Sequence, residues 1–190
     1  GDQIMAACGR DMMERGKLPG NTVVATVMSN LGLHVYAREQ GMALECTSVG
    51  DRNVLERMLE KGYRLGGEQS GHMIFLDHAT TGDGELTALQ ILALLKSTGK
   101  KASEVFGGCR RYPQVLLNIP VADNDAKKAM MASPMLAQAV EREEAALAGA
   151  GRVLVRPSGT EALMRVMVEA KSQEDAQSAA RRLADLIAEL

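Results

Sequence analysis

Residues 152–170, RVLVRPSGTEALMRVMVEA, place two runs rich in Val, Leu and Met on either side of a short polar segment. Apolar, β-branched runs that flank Pro, Ser, Gly and Thr predict two strands joined by a turn. We predict strands over 152–155 and 163–170, paired as a β-hairpin. The polar segment 156–161 then lies at the tip of this hairpin.

The tip of the predicted hairpin contains residue types that bind phosphate. Arg156 and Arg165 offer planar sets of N–H donors to phosphate oxygens. Ser158 and Thr160 add hydroxyl donors, and Gly159 lets backbone N–H groups face an anion without a clashing Cβ atom. The same residues also suit an ordinary surface hairpin, and the segment alone does not decide between the two interpretations.

A second polar segment, residues 66–72, concentrates hydrogen-bonding groups between glycines. Glu68 accepts hydrogen bonds, Gln69 and Ser70 both donate and accept, and His72 can do either. Such a loop can satisfy several sugar hydroxyls at once, although a tight turn with solvated side chains is the alternative. Together with a phosphate-binding turn, the segment indicates a phosphosugar ligand.

These two segments resemble motifs of a known family. Residues 67–72, GEQSGH, are similar to the sugar-binding loop of the alpha-D-phosphohexomutase superfamily, and residues 156–161, RPSGTE, are similar to its phosphate-binding loop. Gln69, Pro157 and Gly159 point to the bacterial phosphoglucosamine mutase branch, which segments 21–32 and 49–52 also resemble. The resemblance covers essentially the whole chain.

The resemblance implies an isomerase that interconverts glucosamine 6-phosphate and glucosamine 1-phosphate through an enzyme phosphoserine and a bisphosphorylated intermediate. Phosphomannomutase or phosphoglucomutase is an alternative activity of the same class. A non-catalytic phosphosugar-binding fragment is the alternative from another class. The expected location is the cytoplasm.

The family is built from four domains, and the resemblance assigns this chain to the third and fourth. The phosphorylated serine belongs to the first domain, and an Asp-x-Asp-x-Asp loop that binds Mg²⁺ belongs to the second. Neither motif occurs in this sequence, whose acidic clusters at 83–85 and 123–125 are predicted as helix starts. We therefore expect no catalytic serine and no metal ligands here, the missing N-terminal domains as partners, and no turnover by this fragment alone. Mg²⁺ and a glucose or glucosamine bisphosphate belong to the full-length enzyme.

The resemblance also assigns roles to single residues. Glu68 and Ser70 would bind the sugar's C3 and C4 hydroxyls, with Gln69 in the same loop. His72 would orient the reacting end of the sugar. The alternative is that its ring nitrogens only form hydrogen bonds within the loop. Arg52 would contact the ligand, or it is a surface arginine at a helix start. The phosphate that is not transferred would be held by Arg156, Ser158, Gly159, Thr160 and Arg165.

The hydrophobic pattern predicts two domains. Over residues 1–113 helices alternate with strands, which predicts an α/β sandwich with a mixed sheet. Residues 114–190 predict a small α+β domain with an antiparallel sheet. By resemblance the first domain binds the sugar and the second binds the phosphate. Helix 84–97 is apolar nearly all round, so we expect it to be buried between layers, and we expect 97–113 to be the hinge.

Composition excludes several other classes of partner. A net charge of −2 argues against nucleic acid or a membrane surface held by bulk electrostatics. Aromatic residues make up 3% of the chain, too few for base-stacking platforms, and the apolar run at 91–95 is too short to span a bilayer. The three cysteines are predicted to be buried hydrophobes or free thiols, and His34 and His78 are expected to be incidental.

Overall fold

The computed structural model describes residues 1–190 and divides them into two compact units, Gly1–Arg111 and Tyr112–Leu190. Each unit encloses its own hydrophobic core. The assignment of sugar binding to one unit and phosphate binding to the other stays a prediction. No helix in residues 1–190 has the length and apolar character needed to cross a bilayer.

The first unit alternates helices and strands. Its elements are α1 (Asp2–Glu14), β1 (Thr22–Thr26), α2 (Leu31–Glu39), β2 (Ala43–Thr47), α3 (Asp51–Lys61), β3 (Leu65–Gly67), β4 (Met73–Phe75), α4 (Gly84–Thr98) and α5 (Ala102–Phe106). The sheet order is β2-β1-β3-β4, with β1 parallel to both neighbours and β4 antiparallel to β3. The predicted mixed sheet is confirmed.

Helices cover both faces of this sheet because β1 is apolar on both sides. Val23 and Ala25 face a core that includes α1 and α2, whereas Val24 faces Val54 and Met58 of α3. All five residues of β1 are buried, as expected for a central parallel strand. The unit is therefore the α/β sandwich that the alternation of elements predicted.

The second unit is a three-stranded antiparallel sheet packed against helices. Its elements are β5 (Gln114–Pro120), α6 (Asn124–Met131), α7 (Pro134–Ala146), β6 (Arg152–Pro157), β7 (Leu163–Glu169) and α8 (Gln173–Glu189). The order β5-β7-β6 places β7 in the centre. The predicted hairpin and antiparallel sheet are confirmed.

An alanine-rich stripe on α8 forms much of the second core. Its buried members are Ala176, Ala179, Ala180, Leu183 and Ile187. Small side chains let the helix lie close to β5 and β7. Leu190 is exposed because α8 ends at Glu189.

Side chains cap the N-termini of α4, α6 and α8, the first two at the predicted acidic clusters. Asp83 Oδ1 accepts a hydrogen bond from Leu86 N, and Asp123 Oδ1 accepts bonds from Asp125 N and Ala126 N. Ser172 Oγ accepts from Asp175 N at 3.0 Å, and the hydroxyl also donates to the Asp175 carboxylate. Both acidic clusters are therefore helix starts.

The prediction that the helix at 84–97 is buried between layers is wrong. Only Thr87 and Leu94 of α4 are buried, whereas Leu89 and Leu92 are 64% and 61% exposed. The helix packs on α1 and β4 along one face, and its opposite face meets solvent. An apolar residue on that face carries the same hydrophobic signal in the sequence as one in the core.

The prediction of a hinge over 97–113 is also wrong for most of that stretch. Helix α4 continues to Thr98, and α5 packs against α1. Val105 and Phe106 pack against the first core, and Cys109 is buried in it. These residues therefore belong to the first unit.

The three cysteines are free, and Cys8 and Cys109 are buried. Burial raises the pKa of the Cys8 thiol to about 12 and that of Cys109 to about 11. Because the thiolate is the reactive form, neither buried thiol is a nucleophile near neutral pH.

Candidate functional site

Two arginines lie opposite each other at the tip of the β6–β7 hairpin. The strand register pairs Arg156 with Arg165, so their side chains share one face of the sheet. Burial lowers the pKa of the Arg156 guanidinium, and the charge of Arg165 lowers it further. Arg165 Nη2 pairs with Glu161 at 2.9 Å, which neutralises only part of this charge. The arrangement is an incompletely balanced cationic pair.

The turn between the strands is tied down from its inner side. Ser158 N donates to Leu163 O at 2.8 Å, and Ser158 Oγ accepts from Glu161 N at 3.3 Å. The whole Ser158 residue is only 3% exposed. Ser158 therefore shapes the turn through its own hydrogen bonds, and a direct contact between its hydroxyl and phosphate stays a prediction.

Lys127 of α6 holds the same turn and was not identified from the sequence. Its Nζ donates to Ser158 O at 2.9 Å and to Glu161 O. The residue is 6% exposed, so its ammonium group lies beneath the turn and is largely shielded from solvent. In the sequence Lys127 is indistinguishable from Lys128, whose side chain is 80% exposed.

The outer side of the turn is open. No hydrogen bond joins the backbone N–H of Gly159 or Thr160 to another group of residues 1–190, and both residues are exposed. Gly159 has no left-handed φ, and a Cβ atom there would meet nothing within 4 Å. The fold of this unit thus does not require glycine at 159. The free N–H groups of Gly159 and Thr160 lie beside unfilled space.

The polar loop of the first unit is a tight connection between β3 and β4. Glu68 N donates to His72 O at 2.9 Å, and Gly71 N donates to Glu68 O at 3.0 Å. Gly71 has a φ of 107°, which favours glycine. Gly66 and Gly67 serve packing, because Cβ atoms there would lie 2.5 Å from Met58 Sδ and 2.6 Å from His72 O.

Two side chains of this loop face the N-terminus of α3. Glu68 Oε1 accepts a hydrogen bond from Gly50 N at 3.1 Å. His72 Nε2 lies 3.4 Å from Asp51 Oδ2 without forming a hydrogen bond, and it is otherwise buried without a partner. The His72 ring packs directly against Gly82. Gly50 therefore helps to position the loop, and both Gly50 and Asp51 lie in segment 49–52, which also carries the family resemblance.

Arg52 lies in the first turn of α3 and points into solvent. Its side chain is 87% exposed, and its Nε pairs with Glu56 at 2.8 Å on the same helix. The hydrogen bond to Glu56 raises the pKa of Arg52. This geometry suits the surface interpretation, and a ligand contact by Arg52 stays a prediction.

The other two loop residues line an open cleft of about 410 Å³ in the first unit. Gln69 and Ser70 form part of its wall, and Asp2, Arg110 and Arg111 form another part. Asp2 Oδ2 accepts from Asn30 N at 2.8 Å, whereas Asp2 Oδ1 is buried without a hydrogen-bond partner. The cleft is large enough for a monosaccharide phosphate. Its two arginines and Asp2 were not identified from the sequence.

Family models match both units. Residues 1–112 match "Phosphoglucomutase/phosphomannomutase, alpha/beta/alpha domain III", and residues 116–186 match "Phosphoglucomutase/phosphomannomutase, C-terminal domain". The chain belongs to the phosphoglucomutase/phosphomannomutase family. The superfamily predicted from segments 67–72 and 156–161 is thereby confirmed.

Curated relatives within this family are identical to the chain at about half of the aligned positions. Phosphoglucosamine mutase of Pelotomaculum thermopropionicum is 56% identical over 190 residues, which is 100% of this chain and 42% of that protein. Phosphoglucosamine mutase of Desulforamulus reducens is 51% identical over 187 residues, 98% of this chain and 41% of that protein. The chain thus spans about two-fifths of the length of these relatives.

Solved structures show the same fold at lower identity. N-acetylphosphoglucosamine mutase of Aspergillus fumigatus, in complex with GlcNAc-6P and magnesium, has a TM-score of 0.83 and 21% identity over 100% of this chain and 43% of its own. An N-acetylglucosamine-phosphate mutase in its product complex, described as a member of the alpha-D-phosphohexomutase superfamily, has a TM-score of 0.77 and 20% identity over 98% of this chain and 43% of its own.

The Lys127 contacts predict different effects for two adjacent lysines. Lys127→Met should lower the free energy of unfolding of the second unit by about 1–3 kcal/mol, because two carbonyl groups lose a buried donor. It should also speed hydrogen exchange in residues 158–163. Lys128→Met removes an exposed lysine and should change stability by no more than about 0.5 kcal/mol. Chemical denaturation and hydrogen exchange measure both effects, and equal effects of the two substitutions would refute the assigned role.

Two glycines of the second unit should respond in opposite ways to alanine. Gly159→Ala should leave the free energy of unfolding unchanged or raise it by up to ~1 kcal/mol, while weakening phosphate binding at least about tenfold, since the methyl group fills the open space. Gly149 has a φ of 72°, so Gly149→Ala should lower stability and leave phosphate binding unchanged. Denaturation together with calorimetric titration of phosphate measures both properties. Unaltered phosphate affinity in Gly159→Ala would contradict the proposed location.

Proposed function

We propose that residues 1–190 supply the sugar-binding and phosphate-binding domains of a phosphoglucosamine mutase, which interconverts glucosamine 6-phosphate and glucosamine 1-phosphate. The single observation that carries this proposal is the open turn at 158–162, where free N–H groups adjoin the facing arginines. The names of relatives at 51–56% identity support the glucosamine substrate.

The proposed phosphate site combines three kinds of donor. Arg156 and Arg165 would form charge-assisted hydrogen bonds with phosphate oxygens. The N–H groups of Gly159 and Thr160 and the Thr160 hydroxyl would complete the contacts on the open side. A phosphate dianion would relieve the repulsion between the two arginines, while Lys127 holds the turn from below. Ser158 would act chiefly by fixing the shape of the turn.

The proposed sugar site is the loop at 68–72. Glu68 has one carboxylate oxygen bound to Gly50 N, and its second oxygen would accept a bond from a sugar hydroxyl. Ser70 and Gln69 would contribute hydroxyl and amide groups from the wall of the cleft. His72, seated against Gly82 and close to Asp51, would orient the reacting end of the sugar. Acceptors and donors in one loop suit a polyol that binds in two orientations.

In this proposal the phosphate site holds the group that is not transferred. Binding of this phosphate would hold the sugar so that its distant hydroxyl is oriented for reaction. A serine outside residues 1–190 would donate its phosphoryl group to that hydroxyl, and the resulting bisphosphate would turn over before one phosphate returns to the serine. Residues 1–190 would therefore bind the phosphosugar without completing the reaction, in the cytoplasm where such metabolites occur.

Magnesium belongs to this proposal only through the parent enzyme. No group of three or more His, Cys, Asp or Glu side chains in residues 1–190 is placed to hold a metal ion, so the residues present do not fit the ion. The Aspergillus fumigatus enzyme has been solved with magnesium, and a variant of it with glucose 1,6-bisphosphate. These complexes support Mg²⁺ and a bisphosphate intermediate for the parent enzyme.

Amide NMR during ligand titration tests the proposal. Glucosamine 6-phosphate should shift resonances of residues 67–72 and of residues 156–165, whereas glucosamine without phosphate should bind at least about tenfold more weakly. Arg156→Ala should abolish the shifts at 156–165, and Arg181→Ala, on the exposed side of α8, should leave them unchanged. Mannose 6-phosphate and glucose 6-phosphate test the alternative activities, which would be favoured if either bound more tightly.

Saturable glucosamine 6-phosphate binding that survives Arg156→Ala would overturn the assigned phosphate site. Absence of binding at millimolar ligand would contradict the proposal that these residues bind the phosphosugar by themselves.

A further inference from the structure

The exposed face of α4 has no assigned role in sugar or phosphate binding. Buried Thr87 and Leu94 mark the side of the helix that packs into the first unit. At 100° per residue, six exposed residues fall on the opposite side. They are Glu85, Ala88, Leu89, Leu92, Ala93 and Lys96, and we refer to this set as the α4 outer face.

The α4 outer face is symmetric about the midpoint between Gln90 and Ile91. Each residue on the N-terminal side has a counterpart at an equal distance on the C-terminal side. Leu89 corresponds to Leu92, Ala88 corresponds to Ala93, and the acidic Glu85 corresponds to the basic Lys96. Rotation by 180° about an axis through this midpoint therefore exchanges like apolar residues and opposite charges.

We propose that the α4 outer face is a self-association surface, on which a second copy of this chain packs its own α4 in antiparallel orientation. A two-fold interface must be complementary to itself. Here Leu89 of one copy would meet the second copy's Leu92, with alanines beside them that let the helix axes approach closely. Each Glu85 would pair with the other copy's Lys96, so that two ion pairs flank the apolar centre.

The charges favour this occupant over an unrelated apolar partner. A parallel arrangement would place Glu85 beside Glu85 and Lys96 beside Lys96, which is repulsive at both ends. The antiparallel arrangement turns both contacts into attraction and fixes the register of the two helices. One exposed helix face with two leucines is small compared with an obligate interface. The association is therefore a reversible monomer–dimer equilibrium.

Zero-length carbodiimide cross-linking identifies this pairing directly. Glu85 and Lys96 of one helix are about 16 Å apart at 1.5 Å rise per residue, so an amide bond between them must join two copies. An equal mixture of ¹⁴N- and ¹⁵N-labelled protein should yield a Glu85–Lys96 cross-linked peptide of mixed isotope composition. Sedimentation equilibrium over micromolar to millimolar protein should show the corresponding dimer.

Charge reversal tests the predicted register. Glu85→Lys should raise the dissociation constant of the dimer about tenfold, since it places two like-charged pairs in the interface. The double variant Glu85→Lys/Lys96→Glu should restore most of the affinity. Glu174→Lys makes the same change in the first turn of α8 and should leave association unchanged. Circular dichroism of each variant checks that α4 remains folded.

A chain that stays monomeric at millimolar concentration would overturn the proposal and leave the α4 outer face to another partner. A dimer that is indifferent to Glu85→Lys, or that is not rescued by the double variant, would also overturn it. Both measurements are independent of phosphosugar binding, so the inference stands or falls separately from the proposed function.

Discussion

The register of the β6–β7 hairpin is the constraint on which the second unit depends. At one end Arg152 pairs with the fully buried Glu169 at 3.0 Å, which stabilises the pairing of these positions. The same register then necessarily places Arg156 opposite Arg165 at the other end. A shift by one residue would move every side chain to the other face of the sheet. The register that buries the core residues of β6 and β7 therefore also fixes the position of the cationic pair.

A cationic pair of this kind is unfavourable unless an anion completes it. Glu161 neutralises part of the charge of Arg165, whereas burial lowers the pKa of Arg156 and adds no counter-charge. Lys127 brings a third positive charge beneath the turn and binds two of its carbonyl groups. The carbonyl oxygens are thus engaged on the inside, and the N–H groups of Gly159 and Thr160 remain on the outside. This polarity supports the proposal that the turn binds an anion.

Local sequence chemistry predicted much of the architecture. Asp83 and Asp123 begin the expected helices, and the β6–β7 hairpin was recognisable from the apolar runs that flank its polar turn. The exposure of α4 was not predictable in the same way, since Leu89 and Leu92 differ from Leu94 only in what lies beside them. Lys127 also escaped prediction, because a lysine adjacent to another lysine on a short helix suggests a solvated surface. Its burial depends on a turn more than thirty positions away.

The candidate site shows a similar division between local and long-range information. The two polar loops were recognisable because their residue types are concentrated in short segments. The hydrogen bonds of Ser158 that shape the turn were not predictable from the segment, and its contact with phosphate stays a prediction. The packing roles of Gly66 and Gly67 depend on Met58 and His72, and the contact of Glu68 depends on Gly50. Such contacts across elements set the geometry of each loop, and single-sequence patterns do not encode them.

Hydrogen exchange of the β6–β7 amides in phosphate and in chloride, at equal ionic strength, tests the central claim most directly. The account predicts that phosphate at ten times its dissociation constant slows exchange about tenfold, and that Arg165→Gln abolishes the difference between the two salts. Equal protection by chloride and phosphate, or a phosphate effect that persists in Arg165→Gln, would contradict the claim that the facing arginines form an anion site.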